Sequence, residues 1–560
     1  IGTVVANVYV VFGKSGARSD IDTSLILNTT GYKISGSAGQ SFGQSVSLLV
    51  DFNGDGVGDV LVGAYLADPP GRSGAGEVVV IYGTSTVPTP TPTQKPTITP
   101  TTKPTPIPSK TPISNPTIIP TTSPTEGPTC CPTANPSITP SGKPTLIPSA
   151  VPTTPPTVIP SIAPSNVPTL VPTTIPTAHP TAQPSPGAGY VDLLFDQSNS
   201  SAFGFKLFGA SAGDYFGHSV SSAGDVNNDG YTDFLIGSFR ADPLGRGAAS
   251  GVAYLFFGKQ QGIADLDAAD FSNTDGIMIV GTSQSRLGVS ISGAGDVNGD
   301  GFDDVIIGAR AADPPTKSNA GISYVFFGKA SGFTEIDLAS YSFDSTKGFQ
   351  LYGGFENDFV GIVVHGGFNI NNDAFSDIAV SSVYKGYVYV LFGHSDATAF
   401  NTIDLNDLNS FSQNWGFRIV GLTSGLDWEG ISLASGDLNA NGVDDLFIGS
   451  IRSSFSGRAE SGIVYVLNGK TSGTFNNIDA STVDWSLLGG FLVGGAVAND
   501  GLGRSVSGSA DINADGIVDL AIGTAVANVY IIFGNNGART DIDTSIIAST
   551  VGYKISGTVG

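Results

Sequence analysis

Six times along this chain, a short apolar segment runs into an Asp/Asn-rich loop and out again into a second apolar segment. The unit reads FGHSVSSAGDVNNDGYTDFLIGS around Asp225, then LGVSISGAGDVNGDGFDDVIIGA, EGISLASGDLNANGVDDLFIGS and LGRSVSGSADINADGIVDLAIGT. A looser copy is VGIVVHGGFNINNDAFSDIAVSS, and another, FGQSVSLLVDFNGDGVGDVLVGA, comes early in the chain. A strand such as GVAYLFFG or GIVYVLNG follows each unit, and then one of the GIMIVG or GFRIVG kind. Each period thus supplies four short β segments bounded by Gly and Asp turns. One such unit cannot bury both faces of its sheet, whereas units set radially around an axis can. The repeat therefore predicts an all-β propeller of four-stranded blades, with no helical periodicity in competition.

These units resemble FG-GAP repeats, the blades of the integrin α-subunit β-propeller. The likeness rests on three features: the FG-like start, the Asp/Asn loop and the IGA or IGS finish. The resemblance implies a ring of blades braced by cations, with seven blades in integrins. Six cores are legible here, so six blades per period is the expectation and seven the alternative.

A second feature interrupts the repeat. From residue 88 to residue 184 a proline falls at every fourth position, 25 in succession, and Thr or Ser follows every one except Pro112. Proline fixes φ and removes a backbone donor, and it pushes the preceding residue to extended conformations, so helix and sheet are both disfavoured. Polyproline II remains, and at about 3.1 Å per residue the segment would be a rod roughly 300 Å long. Three residues per turn against a repeat of four spreads the hydroxyls around the rod. Such Pro-flanked hydroxyls are acceptor surroundings for O-glycans. The candidates are Thr93, Thr97, Thr101, Thr105, Ser109, Thr117, Thr125, Thr133, Ser137, Thr145, Ser149, Thr157, Thr169 and Thr177, with N-linked sequons at Asn28 and Asn199. In composition the segment resembles the hydroxyproline-rich, mucin-like surface glycoproteins of microalgae and other protists. A plain flexible linker is the alternative.

Residues 1–39 align without gaps with residues 522–560 at 27 identities, which suggests a tandem array with a period near 521 residues. On that reading residues 1–86 close one propeller, 87–187 form a stiff rod, and 188–560 open the next propeller with five blades. The rod then separates two rings, because a straight rod cannot bring its ends together.

The loop DVNGDGFDD places oxygen side chains at its positions 1, 3, 5 and 9 with Gly at 6, a spacing that wraps a hard cation. The candidate ligands are Asp51, Asn53, Asp55, Asp59; Asp225, Asn227, Asp229, Asp233; Asp296, Asn298, Asp300, Asp304; and Asp511, Asn513, Asp515, Asp519. The set Asp437, Asn439, Asn441, Asp445 has one charge fewer, and in the set Asn369, Asn371, Asp373, Asp377 an Asn stands first and Ala374 replaces the turn Gly. Oxygen-only donors favour Ca2+ over zinc or copper, in a structural role and up to about six per period. Asx turns without a metal are the alternative.

A net charge of −23 disfavours nucleic acid or an anionic membrane as partner, and no apolar run is long enough to span a bilayer. The two cysteines, Cys130 and Cys131, are adjacent, about 3.8 Å apart at Cα, too close for an unstrained mutual disulfide. An intermolecular bridge and two unpaired thiols both stay open. No catalytic motif is present, and His218, His365 and His394 read as packed or surface histidines, while His179 lies in the proline segment. The sequence therefore points to an extracellular, non-enzymatic structural glycoprotein. Its expected partners are other copies of itself and covalent glycans, in a fibre or surface hair. An adhesion or lectin-like module on a glycosylated stalk is the alternative.

Overall fold

The computed structural model describes residues 2–3, 7–11, 21–22, 31–36, 39–83, 190–192 and 204–557. Short breaks fall at 244, 246–248, 260–263, 383, 396–401, 407–414 and 423–429. The proline segment, Asn28, Asn199, the O-glycan candidates, both cysteines and His179 lie outside the described residues.

The described residues form seven sheets: six of five strands and a smaller one of four. The Asp225 blade is representative. Its strands Ser219–Gly224, Asp233–Ser238, Val252–Phe256 and Gly276–Val280 pair antiparallel in chain order. A fifth, two-residue strand, Ile336–Asp337, then pairs parallel with the fourth. That short strand comes from the following blade, so every blade holds a piece of its successor. The last blade is held the same way by the first sheet, where Ile21 pairs with Ile555. The ring closes without a free outer edge on these strands. The looser Asn369 repeat folds as fully as the others, with strands Val364–Phe368, Asp377–Ser382, Tyr387–Leu391 and Gly416–Val420.

Second strands are the most buried elements; all six residues of Asp233–Ser238, Asp304–Ala309, Asp377–Ser382 and Asp445–Ser450 are inaccessible. Adjacent sheets pack face to face through apolar clusters. One joins Phe52, Phe205, Phe234 and Phe256 between neighbouring blades, with Phe234 and Phe256 stacked at 4.9 Å.

The FG and IG signatures explain each other at these interfaces. A Cβ on Gly308, the glycine of IGA, would lie 1.9 Å from the carbonyl oxygen of Gly361, the FG-type glycine of the next blade. The same clash joins Gly63 to Gly217, Gly237 to Gly288 and Gly449 to Gly503 at 2.1 to 2.2 Å. The FG-type glycines themselves need φ of +80 to +88, a region closed to most side chains. Serines two residues further on secure the joint: Ser219 Oγ donates to Gly288 O and Ser432 Oγ to Gly503 O, each at 2.8 Å.

One outcome differs from the sequence reading. Residues 1–93 and 186–560 form one compact unit, and the strand Glu77–Ile81 pairs antiparallel with Gly204–Phe208, Glu77 opposite Phe208 and Ile81 opposite Gly204. Here the two flanks pair, where the sequence reading puts them in different rings. The physical reason is the open edge of Glu77–Ile81: its backbone groups must be satisfied, and the first complementary fourth strand the chain supplies is Gly204–Phe208. The four-stranded sheet repeats the last blade. Its strands Asn7–Val11 and Gly31–Ser35 match Asn528–Ile532 and Gly552–Ser556 in sequence and pairing.

Candidate functional site

Antiparallel pairing puts all six Asp/Asn loops, each joining a first to a second strand, at one end of the ring. Five of the six loops share one geometry, and the Asn369 loop shares it in part. Position 1 accepts two backbone N–H groups: in the first loop, Asp51 Oδ1 accepts from Asp55 N at 3.0 Å and Oδ2 from Gly56 N at 2.8 Å. Asp225, Asp296, Asp437 and Asp511 accept from the equivalent amides at 2.7 to 3.1 Å. At position 3, Asn53, Asn227, Asn298, Asn371, Asn439 and Asn513 each accept from the position-5 amide at 2.8 to 3.2 Å. At position 5, Asp55, Asp229, Asp300, Asp373, Asn441 and Asp515 accept from position 7 at 2.8 to 3.1 Å. The oxygens of positions 1, 3 and 5 thus converge on one turn, which the position-6 glycines permit at φ of +82 to +92.

Position 9 has another task. Asp233 is fully buried; its Oδ2 accepts from Val226 N at 2.9 Å and its Oδ1 from Gly258 N at 2.7 Å. Asp59, Asp304, Asp377, Asp445 and Asp519 make the same two bonds, to the second loop residue and to a glycine closing the third strand, at 2.7 to 3.1 Å. Sequence spacing names these aspartates ligands; in the geometry each also ties its loop to the blade. Burial, and then the charges of Asp229 and Asp225, push Asp233 up to about 8. Asp377 rises to about 8 and Asp445 to about 7, burial leading in both, and Asp304 rises well above the usual carboxylate range.

The structure also reveals position 8, which spacing alone leaves anonymous. Asp303 Oδ2 accepts from Asp225 N of the preceding blade at 2.7 Å, and Asp444 Oδ2 from Asn369 N at 2.9 Å. Two pairs of neighbouring loops are linked in this way, a link visible in sequence only as the doubled Asp of FDD and VDD. The Asn369 loop departs from the rest: Asn369 Nδ2 donates to Asp373 O at 2.6 Å, turning a donor where the other loops offer an acceptor.

Among the described residues, no group of three or more His, Cys, Asp or Glu side chains stands in a metal-holding arrangement. The donor chemistry of the five other loops nevertheless fits a hard cation: oxygen donors alone on one turn, and carboxylates close enough to raise each other's proton affinity. Two of the best-formed cavities, one lined by Leu438, Asp445 and Phe491 and one by Val297, Phe349 and Trp415, hold about 10 Å³ each, room for about one water. His365 and His394 are packed against aromatic rings, stacked with Phe368 at 5.4 Å and with Trp415 at 5.1 Å.

The FG-GAP repeat family model matches residues 42–81, 216–256, 287–326 and 430–467, each a first-to-third-strand segment of a blade described above. Among curated proteins, mouse integrin alpha-3 is 35% identical over 107 residues, 18% of this chain and 9% of that protein. Drosophila melanogaster integrin alpha-PS2 is 30% identical over 189 residues, 33% of this chain and 13% of its own length. Xenopus laevis integrin alpha-5 is 28% identical over 217 residues, 35% of this chain and 18% of its own. The chain spans less than a fifth of the length of these relatives. Its four matched repeats, with the Asn369 and Asp511 copies that fold alike, make this an FG-GAP-bearing, all-β propeller similar to part of integrin alpha chains.

Proposed function

We propose that this chain is an extracellular, partner-binding propeller of the adhesion type, stiffened by calcium in its Asp/Asn loops. The observation that carries the reading is the coincidence of FG-GAP and integrin-alpha similarity with a ring whose loops repeat one oxygen-lined turn. Positions 1, 3 and 5 would hold the ion while position 9 anchors the turn from behind. A calcium ion would relieve the mutual repulsion of these carboxylates and couple loop order to blade stability. The Asn369 loop would bind least. No chemistry is assigned to the chain, and partner binding is non-enzymatic on this reading.

The test is direct. Calcium should raise the thermal midpoint and magnesium should do so less; at a hundredfold excess over Kd each site adds about 2.7 kcal/mol. Asp225→Asn with Asp229→Asn should remove one site from the calorimetric stoichiometry. Beads coated with the chain should adhere to at least one immobilised extracellular protein in calcium and release in chelator. Calcium-independent stability together with no adhesion would overturn the proposal. We read the proline segment as an O-glycosylated stalk, which glycopeptide mass spectrometry of residues 88–185 would establish or refute.

A second reading has one observation in its favour, the match of residues 1–39 to 522–560. In it the chain is a stretch of a repeating array, residues 1–86 and 188–560 belong to successive rings, and copies associate into a fibre.

A further inference from the structure

In four blades, position 8 of the Asp/Asn loop faces the loop of the preceding blade. Its backbone N–H reaches the carbonyl of position 1 there. Thr232 N donates to Asp51 O at 3.2 Å, Asp303 N to Asp225 O at 3.4 Å, Ser376 N to Asp296 O at 2.9 Å and Asp444 N to Asn369 O at 3.1 Å. The side chain decides how much more is added. Thr232 Oγ1 meets Asp51 N at a long 3.4 Å, Val518 of the Asp511 loop has no side-chain oxygen to offer, and Asp303 accepts from Asp225 N at 2.7 Å. Asp444 makes the matching bond to Asn369 N, but that loop is the one least suited to a cation. Among the described residues, the Asp225 and Asp296 loops are thus the pair in which an acid joins two loops that each carry Asp at positions 1 and 5.

The fold makes room for this acid. A Cβ on Gly224, the residue before Asp225, would lie 2.2 Å from Asp303 Oδ2, and Gly224 takes φ of +77, so a side chain there is excluded twice. Asp225 is then held at three places. Asp303 Oδ2 holds its N–H, Asp303 N holds its carbonyl, and its carboxylate accepts from Asp229 N at 3.0 Å and Gly230 N at 2.8 Å. In the other direction, Asp303 directly follows Phe302, whose N–H donates to Asp300 Oδ1 at 3.1 Å inside the Asp296 turn. Asp303 therefore runs from the Asp296 turn to the backbone of Asp225. Burial leads in raising its pKa, and the charges of Asp225 and Asp296 add to the rise, so this carboxylate feels both loops.

We infer that Asp303 is a positioning residue that couples cation binding in the Asp296 loop to cation binding in the Asp225 loop. This rests on the calcium reading of the loops and adds communication between two of them. When Asp296, Asn298 and Asp300 gather on an ion, the Phe302–Asp303 backbone is fixed. Asp303 then holds the Asp225 amide, and with it the Asp225 carboxylate, ready for an ion of its own. Less ordering remains to be done at the Asp225 loop, and by linkage the coupling is reciprocal. Its sign is positive. Direct repulsion between two bound cations acts in the opposite sense, so the sign tells the two effects apart. The Asp437 and Asp511 loops, with Val518 at position 8, should fill independently of each other.

Tyr231 provides a local reporter, as the one tyrosine at position 7 of the six loops. Its ring also covers Gly54, where a Cβ would lie 2.6 Å from Tyr231 Cε1, so the Asp51 loop is first silenced by Asp51→Asn/Asp55→Asn. The whole chain with that change is titrated with terbium. The sensitised emission that Tyr231→Phe removes then reads the Asp225 loop. Emptying its neighbour with Asp296→Asn/Asp300→Asn should weaken terbium binding at the Asp225 loop about fivefold. With Asp303→Ser, which copies Ser376, the affinity should no longer depend on the Asp296 loop. Should that variant not fold, Asp303→Thr, which copies Thr232, should cut the dependence to about twofold or less. Binding at the Asp225 loop that ignores the Asp296→Asn/Asp300→Asn change, or a dependence that survives replacement of Asp303, would overturn the coupling and leave the calcium reading standing. No Tyr231-sensitised binding at all would sink the coupling and the calcium reading of this loop together.

Discussion

At the scale of single residues, glycine and aspartate do the work that the apolar residues cannot. Gly308 has no room for a methyl group against the Gly361 carbonyl, so Gly308→Ala must push two blades apart. We expect a loss of about 3 kcal/mol in chemical denaturation, within the range for overpacking a core. Gly301→Ala, in open space at φ +90, should cost only about 1 kcal/mol, from backbone strain alone; equal costs would refute the interface explanation. His365 offers a test of burial. Its Nε2 meets Ser435 Oγ at 2.9 Å, and burial lowers its pKa to about 4. The unfolded chain, with an ordinary histidine, takes up its proton first as pH falls. Stability from this group is therefore complete above about pH 6.5 and is lost on the way down to about 4, roughly 3 kcal/mol in all. His365→Gln should flatten that part of the stability profile; an unchanged profile would show that the ring is solvated. The FG, IG and DxNxDGxxD positions were legible in sequence, because each is a fixed backbone demand. Position 8 and the clasp role of position 9 were not, because both depend on which amide a neighbouring strand presents.

Among the elements, the two-residue strands decide the closure of the ring. Each is a Leu-Asp or Ile-Asp pair, too short to be recognised as a strand by periodicity, and each binds to the preceding blade. In three of them the Asp then meets a basic residue from that blade's second-to-third-strand connection. Arg72 pairs with Asp267, Lys317 with Asp404 at 2.5 Å and Arg458 with Asp543 at 2.9 Å. Arg72 holds the Asp267 carboxyl below its usual range. A double-mutant cycle of Arg72→Ala and Asp267→Ala should give a coupling of about 1 kcal/mol, typical of a well-aligned, partly exposed pair, and shrinking with salt. Zero coupling would leave the backbone pairing of Leu266 with Leu207 as the only clasp.

For the whole molecule, the decisive question is whether the two flanks of the proline segment share a ring. Pairing of Glu77–Ile81 with Gly204–Phe208 predicts that a chain cut by protease within residues 94–185 stays together. The two fragments should co-elute in native buffer and separate only in denaturant. Fragments that part without denaturant would favour the array, in which those strands belong to different rings. This experiment bears on architecture alone and leaves the calcium test independent of it.

The amino-acid order alone determined the repeat, the four-stranded blade, the oxygen-rich turns and the proline period, because each follows from local backbone preference or from alternation within a few residues. Tertiary structure decided which strand the open edge of Glu77–Ile81 pairs with, which carboxylates tie their loops to the blade, and which loops Asp303 and Asp444 join. Those outcomes depend on partners tens to more than a hundred residues away, and no local pattern encodes a choice among edges that are all made of the same repeat.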